Sequence, residues 1–354
     1  IALDGQAIDA IATQSFDRDA PVEVDGAFAL SEAFLDALGI TLPDGTLSGA
    51  APATIRLTIP KGAPPLFALA SGLQGLALRV DPLGWRKAAE AAGRLEVSGR
   101  LGPAPWVDRL EVSAPGFLAE GLIELAPGGD FVAADMSRIR AGGWFDAPVR
   151  LEARGQGLPP RVIVSGGQID VRGAPSGGGD DAQVPMRVAL DILRLTDTLA
   201  MTGVSADLVS GGGFEGQFVA RVNGGTQIQG RLAPVNGRTA IRIDGDDAGS
   251  VLRDAGIFRF ARGGAFEGVL TPRADGPGFD GVARIRGTRL TEQPVVISLL
   301  NAVSVVGILD QMQGPGVLFD TVETQFRILP GRIVFDRGSA VGASLGISID
   351  GVLN

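Results

Sequence analysis

Along most of this chain apolar and polar residues take turns. In residues 53–59, "ATIRLTI", Ile55, Leu57 and Ile59 fall on one side, and Thr54, Arg56 and Thr58 on the other. Residues 93–99, "GRLEVSG", set Leu95 and Val97 against Glu96 and Ser98; residues 108–113, "DRLEVS", do the same with Leu110 and Val112. The pattern recurs at 161–166 (Val162, Val164), 167–173, 239–245 (Ile241, Ile243), 282–287, 324–329 (Phe326, Ile328), 331–336 (Ile333, Phe335) and 345–351. A period of two sends successive side chains to opposite faces of an extended strand. Each segment therefore predicts a half-buried antiparallel strand, and each stops near a turn-forming Gly, Pro, Asp or Asn. Roughly 20 strands at this spacing predict an all-β protein. A sheet of that size must curl, split or close.

Three segments depart from the alternation. Residues 31–40, "SEAFLDALGI", place Ala33, Phe34, Ala37 and Leu38 at helical spacing behind Ser31, a helix cap, and stop at Gly39. Residues 246–258 do the same with Val251, Leu252, Ala255 and Phe258 behind Asp246 or Asp247. Residues 295–312 are almost free of charge and predict an apolar helix between Pro294 and the Gly314-Pro315-Gly316 break. At about 27 Å this helix falls just short of a bilayer core. Ser298, Asn301, Ser304 and Gly307 are spread along it, which favours a buried helix packed on, or capping, an apolar sheet face. Its apolar residues are Leu299, Leu300, Val303, Val306 and Leu309. The glycine-rich, acidic stretch 174–185 predicts a flexible boundary between a β region over 1–173 and another over 186–354.

Composition narrows the chemistry. The 53 glycines and 22 prolines suit many short strands and tight turns. The chain has no Cys, His or Tyr, so thiolate chemistry, disulfides and histidine general bases are excluded. A net charge of −9 without a basic run argues against nucleic acid. The G-x-S-x-G match at Ser344 lacks a histidine partner. The glycines Gly211, Gly213 and Gly216 precede a strand, not the helix a pyrophosphate site needs. In 244–255, Ala248 and Ala255 stand where a calcium loop needs oxygen ligands. The residues thus predict no enzyme, cofactor or metal. The opening "IALDGQ" and a close within a strand predict a piece of a longer chain.

Residues 41–85, "TLPDGTLSGAAPATIRLTIPKGAPPLFALASGLQGLALRVDPLGW", resemble the central repeat of the AsmA-like family of Gram-negative bacteria, the AsmA/TamB/YhdP group. Residues 246–270 and 299–353 resemble its C-terminal portion, with "FDTVETQFRI", "GRIVFD" and "GISIDG" in the family's order. The resemblance implies a long, strongly curved antiparallel sheet, a taco, gutter or half-barrel with an apolar interior. It implies a periplasmic body held to the inner membrane by an N-terminal anchor absent from this sequence, with outer-membrane or periplasmic proteins as further partners. It implies a bridge-like conduit for phospholipid between inner and outer membrane. The expected groove lining is Ile55, Leu57, Leu95, Val97, Leu110, Val112, Val162, Val164, Ile241, Ile243, Phe326, Ile328, Ile333 and Phe335. The alternative is a non-catalytic periplasmic scaffold or assembly factor for outer-membrane biogenesis.

Overall fold

Period-two alternation becomes antiparallel sheet throughout. A computed structural model describes residues 2–3, 6–17, 19–40, 42–175, 182–276, 278–291, 316–329, 332–342 and 346–353. The chain is all-β, with 25 strands and two short α-helices among these residues. It divides into two compact units between Ser176 and Gly177, within the glycine-rich stretch. The helix expected over 295–312, with Leu299, Leu300, Val303, Val306 and Leu309, lies outside the described residues.

The first unit opens with β1 (Ala2–Leu3), β2 (Gln6–Gln14) and β3 (Val22–Ser31). Helix α1 (Glu32–Ala37) follows, capped by Ser31 Oγ, which accepts from Phe34 N. Then come β4 (Leu47–Ile59), β5 (Leu66–Ser71), β6 (Leu76–Val80), β7 (Trp85–Lys87), β8 (Arg94–Arg100) and β9 (Trp106–Ala114). The unit continues through β10 (Phe117–Leu125), β11 (Phe131–Ala141), β12 (Phe145–Glu152), β13 (Arg161–Ser165) and β14 (Gln168–Asp170). Pairing follows chain order with two departures: β5 pairs with β8, while β6 pairs with the start of β4 and with β7, and β12 pairs with both β13 and β14. Residues 167–173 keep only a three-residue strand, because Val171 to Gly173 turn.

The second unit runs through β15 (Val184–Arg194), β16 (Ala200–Ser210), β17 (Phe214–Val222), β18 (Gln227–Val235) and β19 (Arg238–Gly245). Helix α2 (Ala248–Asp254) is capped by Asp247, whose side chain accepts from Ser250 N. It ends earlier than the spacing over 246–258 predicts. Gly256 turns left-handed at φ +71°, and the amides of Ile257 and Phe258 fold back onto the Leu252 carbonyl. Next are β20 (Ala261–Arg262), β21 (Ala265–Pro272), β22 (Phe279–Leu290), β23 (Val317–Leu329), β24 (Arg332–Val341) and β25 (Gly346–Leu353). Each pairs antiparallel with its predecessor, except that β19 pairs with β21 and β20 with β22.

No described pairing closes the strands into a barrel. Bulges interrupt the register at several strands, including β9, β10, β11, β16 and β24. Each bulge bends its strand and increases the local twist.

Candidate functional site

Register decides which side chains share a face. In the first unit Ile55 pairs with Leu69, Leu69 with Val97 and Val97 with Leu110. That row continues through Gly121, Met136 and Val149 to Val164. The row beside it joins Leu57 to Phe67 and ends with Leu151 paired to Val162. On the other side Leu95 pairs with Val112. The eight first-unit residues singled out by alternation therefore lie on one face.

The second unit repeats the arrangement. Leu232 pairs with Ile241, Ile241 with Leu270, Leu270 with Gly281, Gly281 with Phe326, and Phe326 with Phe335. Ile243 pairs with Gly230 and Gly268, and Ile328 with Ile333. These six residues also share a face. Alternation overlooked several of their neighbours, including Phe67, Leu69, Phe218 and Leu270. Alanine and glycine hold many apolar positions on those strands, which weakens the contrast between the two sides.

Both apolar faces are buried at one end and half-open at the other. In the first unit α1 and the β6–β7 excursion cover one end. There Phe28 stacks on Phe34 at 4.1 Å, and Leu30, Ala51, Ala53, Leu73 and Leu76 are buried with them. Trp85 stacks on Phe117 at 4.3 Å, and its Nε1 donates to Pro115 O. In the second unit Val251 of α2 is buried beside Ile228 and Gly245. Away from these covers most residues of the same faces are half-buried, while Ala134, Met136, Val149 and Val164 on the later strands of the first unit are buried. Thirteen of the fourteen expected lining residues are half-buried, with Ile55, Leu95 and Val112 among them packed against the buried cluster under α1, and Val164 alone is fully buried.

The half-open zone has a smooth floor. Three phenylalanines sit directly opposite glycines: Phe67 against Gly99, Phe218 against Gly230 and Phe326 against Gly281. A methyl group on any of the three glycines would meet the opposing ring within 2.4–2.9 Å. Each ring thus occupies the space that a side chain at the opposing glycine would fill, an arrangement that shields the strand there.

The opposite face is polar and paired. Arg109 bridges Glu96 and Glu111, Arg138 holds Asp146, and Arg150 joins Asp135 with Glu152. Those contacts, led by the Asp135 hydrogen bond, raise the Arg150 pKa. In the second unit Arg242 reaches Asp244 and Glu267, and Arg284 reaches Glu323. A depression of about 680 Å³ on the first unit's charged side borders Arg109, Glu120, Asp135 and Arg150, but both arginines are already held by neighbouring carboxylates. Among the described residues no group of three or more His, Cys, Asp or Glu is placed to hold a metal ion. Gly211–Gly213 form the turn between β16 and β17, and Ser344 lies outside the described residues.

No helix among the described residues is long and apolar enough to cross a membrane, which says nothing of strands. No family model, no curated protein and no solved structure matches this chain.

Proposed function

We propose that this protein shields the acyl chains of phospholipid on its half-open apolar faces and conducts lipid between inner and outer membrane. The observation that carries this reading is the register: in each unit apolar residues line up, strand after strand, on a face left half-exposed beyond its helical cover. Two apolar faces packed together would exclude water from such residues almost completely. Exposing a chain of about 16 methylenes to water costs on the order of 13 kcal/mol. An aliphatic floor removes most of that cost. A six-residue strand spans about 20 Å, wide enough to bear one or two acyl chains. Rows of near-equal aliphatic contacts, without polar anchors, suit sliding rather than tight capture.

The resemblance of residues 41–85, 246–270 and 299–353 to AsmA-like proteins supports a periplasmic location and a phospholipid cargo. Purification without detergent followed by lipid extraction and mass spectrometry tests the proposal. Phospholipid should accompany the protein. Protein that emerges lipid-free, and that extracts no fluorescent phospholipid from vesicles, would sink the proposal and favour a scaffold.

A further inference from the structure

The two ends of the first unit's strands differ. One end is covered by α1, by the β6–β7 excursion and by Trp85. At the other end five hairpin loops stand in a row, as the terminal pairs Gln14–Val22, Thr58–Leu66, Arg100–Trp106, Leu125–Phe131 and Glu152–Arg161 require. All five carry exposed large apolar side chains at the loop or strand tip: Phe16, Leu66, Leu101, Phe131, Val132 and Leu158. Phe16 is fully exposed and Leu158 is 54% exposed. The row crosses ten strands, on the order of 40 Å at normal strand spacing.

We propose that this rim rests in the apolar layer of a lipid bilayer. Its shape favours that occupant over a protein. The apolar side chains stand one or two to a tip on five separate hairpins, a discontinuous set spread along the row. A fluid acyl layer closes around isolated tips at no cost in fit. Charge points the same way. In sequence the five loops hold Asp17, Asp19 and Asp130 against Arg18, Lys61 and Arg154, a neutral set in a chain of net charge −9. Lys61 is paired with Asp19 across two adjacent loops at 3.2 Å. Attraction to anionic headgroups therefore contributes little, and apolar insertion is the driving contact. The rim also adjoins the half-open apolar zone, so a lipid leaving a bilayer there meets the floor directly. That purpose rests on the acyl-shielding proposal, while the test below does not.

The test is flotation of the full chain with phosphatidylcholine vesicles at low and high salt. The protein should float at both salt concentrations. The combined variant Phe16→Ser, Phe131→Ser, Leu158→Ser should lose at least tenfold in partitioning, whereas Leu38→Ser at the covered end should float as the parent does. Phe16→Ser alone touches no packing and should cost severalfold, which keeps the test decisive if the triple variant misfolds. Protein that stays in the aqueous phase would overturn the proposal. So would flotation at low salt that is lost at high salt, or rim variants that float unchanged. The proposal also falls if the substitutions dissolve a self-association present without vesicles, because the occupant is then a second copy. Protein that floats yet carries no phospholipid would overturn the conduit and leave the rim contact standing.

Discussion

Gly99 and Gly281 do the same work under different constraints. A methyl group on Gly99 would lie 2.0 Å from the Trp106 carbonyl oxygen, so the strand itself must move. On Gly281 it would meet only the far edge of the Phe326 ring, at 2.4 Å. Gly99→Ala should therefore destabilise by about 3 kcal/mol and Gly281→Ala by about 1 kcal/mol, the two ends of the overpacking range. Urea titration measures both, and Phe326→Leu should rescue Gly281→Ala but leave Gly99→Ala as it is. Lys87 presents a different balance. It is buried in the first unit, where Nζ donates to the carbonyls of Leu73, Leu76 and Ala88. Burial pushes its pKa down, and Glu90 opposes that shift. A lysine with a lowered folded pKa binds fewer protons folded than unfolded, so stability rises as pH climbs through the alkaline window below the ordinary lysine value. Lys87→Met should erase that rise. It should also cost about 2–4 kcal/mol by leaving buried carbonyls without a donor, which melts recorded between pH 7 and 10 resolve.

The helices are short and depend on their caps. Ser31→Ala removes the acceptor at the start of α1 and should cost about 1 kcal/mol, read as a lowered Tm. At α2, Asp247 holds Ser250 through side chain and backbone, and Asp254 accepts from Thr226 N and Oγ1 on the neighbouring β17–β18 turn. Hydrogen bonding to Ser250 and to Thr226 respectively lowers both carboxyl pKa values. Their stabilisation is complete above the ordinary aspartate pKa of about 3.9 and is lost as pH falls through the lowered folded values. Amide protection factors at Val251 and Ala255 should fall on acidification while those in β22 hold; simultaneous loss in both would refute this order. Both helix starts are visible in the sequence, since Ser31 and Asp247 precede residues at helical spacing. The end of α2 is not, because Ile257 and Phe258 keep the spacing while Gly256 has already reversed the backbone. Strands with strong contrast, such as β4 and β8, are plain in the alternation. Those where alanine and glycine alternate with polar residues, such as β16 and β18, are not.

For the whole molecule, two half-open apolar faces offer two places to interrupt lipid. Val97→Glu with Leu110→Glu puts charges on a paired position in the first unit, and Ile241→Glu with Leu270→Glu does so in the second. All four residues are half-buried, so the fold should survive while acyl contact fails. Each pair should lower phospholipid phosphorus per protein severalfold, and the two together should abolish it. Unchanged lipid content in a variant whose far-ultraviolet spectrum and Tm match the parent's would count against acyl shielding.

Sequence alone determined the strand grammar, the segregation of apolar and polar side chains, where both helices start to within a residue and the lack of histidine and thiol chemistry. These are local properties, set by period, propensity and residue type within a few positions of the chain. Tertiary structure decided what sits opposite what. Only register places Phe67 over Gly99 and Phe326 over Gly281. Only the positions of α1, the β6–β7 excursion and α2 decide which part of each apolar face is sealed and which stays half-open. The physical reason is that burial belongs to neighbours distant in sequence: alternation says a side chain turns toward the apolar side, but the covering layer is supplied by residues tens of positions away.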